Sequence, residues 1–223
     1  VLGGVDGAGK SEMANTLSDW MDPRGIATHE FGPPTEDERE RPEYWRYWKT
    51  LPPKGDIAIY IGAWYSRSLL DNAYERTGLA TYDRDLSRIV AFERELVNDG
   101  VLILKFWMHL GKKAQKRRLD ALEKDPLTRW RVTNREKENW VMYDRLKVAS
   151  DRLIHKTNTA ETSWHIVDGE DPNYRTIAIA RTALNEMRQG LSAKSVNGTA
   201  VPSFVSSDQE PAINVLRQLD LNQ

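Results

Sequence analysis

An α/β fold with a mainly parallel sheet, covered by helices on both faces, is predicted by three features of this 223-residue chain. Near-continuous apolar runs at Asp56–Gly62, Val101–Trp107 and Trp164–Asp168 read as strands buried on both sides. Segments of helical periodicity separate those runs, which is the alternation of βαβ units. A glycine-rich run ending in Lys10-Ser11 passes straight into the first of those helices.

Taken in order, Val1-Leu2 is all that represents a strand before the glycine-rich run, too short to sit centrally in a parallel sheet. The chain is therefore expected to begin mid-domain, and no charged-then-apolar leader opens it. Glu12–Met21 places Met13, Leu17, Trp20 and Met21 at helical spacing, a stripe that can pack on a sheet. Asp83–Asn98 carries Leu86, Ile89, Val90 and Leu96 on a face and stops at Asp99-Gly100, a suitable C-terminal signal. One long helix is predicted from Asn134 to Ile154 and another from Asn173 to Arg188. Beyond Gly190 the composition shifts to Ser, Gly, Asn and Pro. Residues 191–223 are thus expected to be a linker with a short amphipathic segment near Ile213–Leu219, after a single domain at 1–190.

An apolar content of 39% suffices for a sizeable core at this length. Lys+Arg 32 against Asp+Glu 33 leaves a formal charge of -1, so the chain is not a polycation built for nucleic acid. The absence of cysteine excludes disulfides, thiolate metal sites and cysteine nucleophiles, and a cytoplasmic protein is the default expectation. The most apolar candidate, Ile57–Ser66, is far too short to span a membrane.

The run Gly4-Val-Asp6-Gly7-Ala-Gly9-Lys10-Ser11 fits the phosphate-cradling pattern G-x-x-x-x-G-K-[ST]. Its glycines let successive backbone N–H groups converge on phosphate oxygens, and the Lys10 ammonium reaches the outer phosphates. The Ser11 hydroxyl can ligate Mg²⁺, and the following helix adds its N-terminal dipole. A second constellation follows the run Val101–Trp107: Lys112, Lys113, Lys116, Arg117 and Arg118, then Asp125-Pro126 and Arg129-Trp130-Arg131. Beside a phosphate loop, these cations suit a mobile lid that neutralises a polyanionic donor and the transferring group. The alternative is a solvated helix face with ion pairs to Asp120 and Glu123. His29, His109, His155 and His165 are scattered without metal-ligand spacing. Trp107 and Trp164 lie in strand-like runs and are expected inside, whereas Trp45, Trp48 and Trp64 lie near the inferred cleft.

Several of these motifs together resemble the polyphosphate kinase 2 family. They are the loop with its internal Asp6, Trp64-Tyr65-Ser66-Arg67 after a strand, Lys105-Phe-Trp107, Gln115-x-x-Arg118 and Asp125-Pro126-x-x-x-Trp130-Arg131. Phe31–Thr35, Arg41-Pro42-Glu43-x-Trp45, Leu51–Gly55 and Thr157-x-Thr159-x-x-x-x-Trp164 are similar to the amino-terminal half of two-domain polyphosphate:AMP phosphotransferases. The resemblance covers roughly Val1–Gln189. It implies a P-loop kinase-like three-layer α/β/α sandwich with a helical lid. It also implies transfer of a terminal phosphate from inorganic polyphosphate to AMP, giving ADP, with Mg²⁺, in a homo-oligomer whose parent chain carries a second kinase-like domain. Under that resemblance Asp6 organises Mg²⁺ with Ser11, Lys10 stabilises the transferring phosphoryl group, and Arg67 is the arginine after the Trp-Tyr pair. Gly4, Gly7, Gly9, Lys112, Lys113, Arg117, Arg118 and Arg131 would contact phosphate.

One departure stands out. Active members of the family carry an Asp three residues before the Trp-Tyr pair, and this chain has Ile61 there. An isoleucine cannot ligate Mg²⁺. Two other readings therefore accompany the first: a degenerate, non-catalytic domain that binds polyphosphate or holds an interface, and, more distantly, an ATP-dependent nucleoside monophosphate kinase.

Overall fold

A computed structural model describes residues 1–196. Its five strands pair in parallel in the order β2-β3-β1-β4-β5. They are β1 (Leu2–Gly4), β2 (Ile26–Glu30), β3 (Ile57–Ile61), β4 (Lys105–His109) and β5 (Trp164–Asp168). The helices are α1 (Lys10–Trp20), α2 (Glu36–Arg39), α3 (Trp45–Trp48), α4 (Ser66–Ala73), α5 (Leu79–Asn98), α6 (Lys112–Lys124), α7 (Asn134–Val141), α8 (Tyr143–Thr157) and α9 (Pro172–Val196). Single 3₁₀ turns occupy Pro23–Gly25, Ala63–Tyr65 and Arg129–Arg131.

Strand alternation sorts the core into two layers. Ile59, Ile61, Phe106 and Met108 pack with Met13 and Ala14 of α1 and Ile179 and Ala183 of α9. Tyr60, Trp107 and Trp164 point the other way, onto Leu86, Ile89 and Phe92 of α5 and Leu153 and Ile154 of α8. Helices thus cover both faces of the sheet, as the sequence predicts, and Trp107 and Trp164 are buried in edge-to-face contact. α5 closes with paired 6→1 and 5→2 bonds around Gly100 at φ 87, so the stop at Asp99-Gly100 is a glycine C-cap. No helix among the described residues is long and apolar enough to cross a membrane.

Several expectations need correction. The strand expected as a two-residue remnant runs Leu2–Gly4 and lies at the centre of the sheet. β2 has no counterpart in the sequence reading: it is an edge strand with exposed residues, so it lacks an apolar run. β4 starts at Lys105 rather than Val101, at the residue where its pairing with Trp164 of β5 begins. α1 starts two residues before the expected helix, and Met21 lies beyond its end, while Trp20 is exposed. The long helix expected from Asn134 is broken at Met142, since α7 packs on α6 whereas α8 packs on α4 and α5. α9 continues through residues 191–196, which were expected to begin the linker; the segment Ile213–Leu219 lies outside the described residues.

His165 of β5 packs at a tilt against Phe106, and burial holds its pKa below the ordinary 6.5. In the window just below pH 6.5 the unfolded chain therefore binds more protons than the folded one, and stability rises with pH. Unfolding midpoints measured from pH 7.5 down to 5 are expected to fall for the unaltered chain and to fall less for His165→Phe. Equal slopes would remove His165 as the source.

Candidate phosphate site

Every strand of the sheet runs the same way, so the loops at the strand ends share one edge, and α1, α6 and α9 start there. The glycine-rich run links β1 to α1 at this edge. Gly4 (φ 134) crosses β4 so closely that a methyl group would meet the Met108 carbonyl oxygen at 2.1 Å. Gly9 (φ 88) caps α1 under the Arg175 guanidinium, whose carbon lies 2.3 Å from where a methyl would stand. Both positions therefore require glycine.

Inside the loop, the Lys10 ammonium donates to the carbonyls of Gly4 and Val5 at 3.0 and 2.9 Å and stands 3.8 Å from Asp6 Oδ1. Asn139 of α7 donates to Asp6 Oδ2 at 2.6 Å and accepts from the Tyr74 hydroxyl at 2.6 Å. Desolvation raises the Tyr74 pKa, which keeps this hydroxyl a donor. Gln115 of α6 donates to the Asp6 carbonyl at 3.0 Å. The residues after β4 thus fold back over the loop as a helical lid, fixed to it through Asp6.

The lid cations are distributed unevenly. Arg118 donates to Glu12 at 2.5 Å, Arg131 approaches the same carboxylate at 3.6 Å, and Arg175 of α9 donates to its other oxygen at 2.9 Å. Arg117 pairs with Glu170, and Lys112 pairs with Asp144, each at 2.6 Å. Lys113 and Ser11 are exposed. Gly7, Arg117, Arg118, Gly169 and Arg175 line a cavity of about 220 Å³ beside the loop. The solvated-face alternative holds for Lys116, which pairs with Asp120 at 3.2 Å. Arg67, by contrast, is exposed on α4 and pairs with Asp71 at 3.7 Å, without contact to the lid arginines. Trp64 is buried against Tyr47 and Phe92, so it is a core ring rather than a platform in the cleft; Trp48 is half exposed.

Glu12, Arg175 and Asn139 had no motif to announce them. The one local signal is at Arg175: Asp171 caps α9 through the Asn173 N–H at 2.8 Å and Pro172 follows, which marks a helix start after the last strand.

Mg²⁺ takes oxygen ligands and usually keeps several waters. Ile61 is buried in the α1-side core and offers no oxygen. Among the described residues, no group of three or more His, Cys, Asp or Glu side chains could hold a metal. Asp6 and Ser11 therefore fit a Mg²⁺ carried mainly by phosphate oxygens and water, and do not form a protein cage.

A phosphate loop at the edge of a parallel sheet, closed over by a cationic helical lid, defines a P-loop kinase-like protein. The model of the polyphosphate kinase 2 family matches residues 1–195, and the chain belongs to that family. It is 36% identical, over its whole length, to polyphosphate:AMP phosphotransferases of Pseudomonas aeruginosa and Pseudomonas syringae pv. tomato, and spans 45% of the length of each. Among solved structures, a polyphosphate kinase 2 from Arthrobacter aurescens TC1 superposes with a TM-score of 0.76 at 25% identity, over 100% of this chain and 74% of that one.

Proposed function

We propose that this domain takes inorganic polyphosphate as donor and transfers its terminal phosphoryl group to AMP, giving ADP. The observation that carries the reading is the placement of Arg117, Arg118 and Arg175 around one cavity next to the loop of Lys10. A linear polyanion needs cations along its length, whereas a single phosphate needs only the loop. The names of the two Pseudomonas relatives support the same donor and acceptor.

In this mechanism the loop N–H groups and Lys10 hold the transferring group, and Lys10 exchanges its two loop carbonyls for phosphate oxygens. An oxygen of the AMP phosphate attacks the terminal phosphorus and stays bonded to it in ADP, the P–O bond to the bridging oxygen breaks, and the shortened chain leaves carrying that bridging oxygen. Arg118 and Arg131 offset the charge on the leaving chain, so positioning and charge neutralisation suffice without a covalent enzyme intermediate. Mg²⁺, held by Asp6 and Ser11, would supply further neutralisation of the phosphates. Gly4, Gly7 and Gly9 give the backbone its approach, Lys112 and Lys113 extend the cationic path, and Arg67 carries over only as the arginine after the Trp-Tyr pair. We assign the parent protein to the cytoplasm and give it a homo-oligomeric state and a second kinase-like domain; the 45% span of its relatives supports the last.

Ile61 favours a second reading, in which this domain binds polyphosphate and leaves transfer to another domain. ADP formation from AMP and Mg²⁺ separates the two. With polyphosphate as donor the chain is expected to turn over, with ATP it is not, and Ile61→Asp is expected to raise the rate. If neither this chain nor Ile61→Asp forms ADP while the longer protein does, the second reading replaces the first.

A further inference from the structure

Glu12 sits one residue past the phosphate loop, in the first turn of α1, and is bound by arginines from three separate elements. Arg118 comes from α6, Arg131 from the turn after it and Arg175 from α9. Two features exclude a casual surface cluster. The Arg175 side chain is only 4% exposed, and it is pinned between the Gly169 carbonyl at 3.0 Å and the Glu12 carboxylate at 2.9 Å. Its Nε is buried without a hydrogen-bond partner, so the guanidinium keeps unused donor capacity. Arg118 and Arg175 line the cavity beside Gly7, and Glu12 does not. The carboxylate thus holds two arginines that line the cavity without lining it itself.

We propose that Glu12 is a positioning residue for the polyphosphate site: it fixes the forks of Arg118 and Arg175, and the reach of Arg131, so that their remaining donors face the bound chain. A flexible guanidinium loses side-chain entropy on binding, and one held beforehand by a carboxylate has already lost it. An acid among the cations lowers the net positive charge of the site, yet orders the donors that a row of phosphates needs. The inference rests on the polyphosphate reading above.

The test is titration of the chain with long-chain inorganic polyphosphate, at several salt concentrations and below the unfolding midpoint. Glu12→Gln keeps the shape and removes the charge. It is expected to weaken binding about tenfold, the scale of one lost charge-assisted hydrogen bond, and to make the salt dependence shallower because fewer arginines engage. Arg175→Lys keeps the charge and loses the fork, and is expected to weaken binding similarly; the double variant is expected to be little worse than either single one. Unaltered or tighter binding by folded Glu12→Gln, with an unchanged salt slope, overturns the positioning role even if its unfolding midpoint has dropped. Should Glu12→Gln not fold, unaltered binding by Arg175→Lys overturns it instead. Failure of the unaltered chain to bind polyphosphate at all overturns both this role and the donor assignment, which distinguishes the two failures.

Discussion

Lys10→Met is expected to weaken polyphosphate binding by about tenfold or more, and to lower ADP formation by about 10²–10³, the range for removing one preorganised donor from a developing charge. The structure gives the effect its physical basis. In the free loop the ammonium is held by the Gly4 and Val5 carbonyls, with Asp6 Oδ1 alongside, so the same donors are ready to transfer to phosphate oxygens. Methionine keeps the stem and loses those two hydrogen bonds, a cost of about 1–2 kcal/mol that denaturant unfolding would register separately. Binding titration and coupled ADP assays check the functional part. A folded Lys10→Met with unaltered polyphosphate affinity would place the binding site somewhere other than this loop.

Glu93→Ala is expected to destabilise the domain by about 3–5 kcal/mol, because it strands a buried cation. Glu93 is 1% exposed and accepts from Trp64 Nε1 at 3.1 Å, the Tyr65 hydroxyl, Thr162 Oγ1 at 3.1 Å and Lys105 Nζ at 2.9 Å. Lys105, fully buried, also donates to the Thr157 carbonyl at 2.6 Å. The network ties the turn after β3 to the start of β4 and to the end of α8. Burial lowers the Lys105 pKa, and Glu93 partly restores it. Without the carboxylate the folded pKa falls further below the ordinary 10.5, so the unfolded chain binds the extra proton and the variant's stability rises with pH through that interval. Urea unfolding at pH 7 and pH 9 measures both effects. The paired replacement Glu93→Leu with Lys105→Met is expected to recover much of the loss, since neither charge is then left alone.

What was legible in the sequence follows from locality. A run such as Ile57–Ile61 or Trp164–Asp168 is apolar because it is covered on both faces, and the loop motif is compact enough to be read from eight consecutive residues. The edge strand Ile26–Glu30 was not legible, since exposure removes the apolar signal. The break at Met142 was not legible either, because the stretch contains no Gly or Pro and the two helices separate only to pack on different neighbours. Among the site residues, the motifs brought out Asp6, Lys10, Arg118 and Arg131, and the fold gathers these at one sheet edge. Arg67 shares the motif and points to solvent beside Asp71.

The sequence by itself determined the fold class, the family and the phosphate loop, since each is written in short-range pattern. The tertiary structure alone decided what surrounds the loop. Asn139 meets Asp6 across 133 positions and Arg175 meets Glu12 across 163, and no periodicity or spacing reaches that far. The parallel sheet does, by bringing the starts of α1, α6 and α9 to one edge, so that a carboxylate next to the loop can bind arginines from three distant segments.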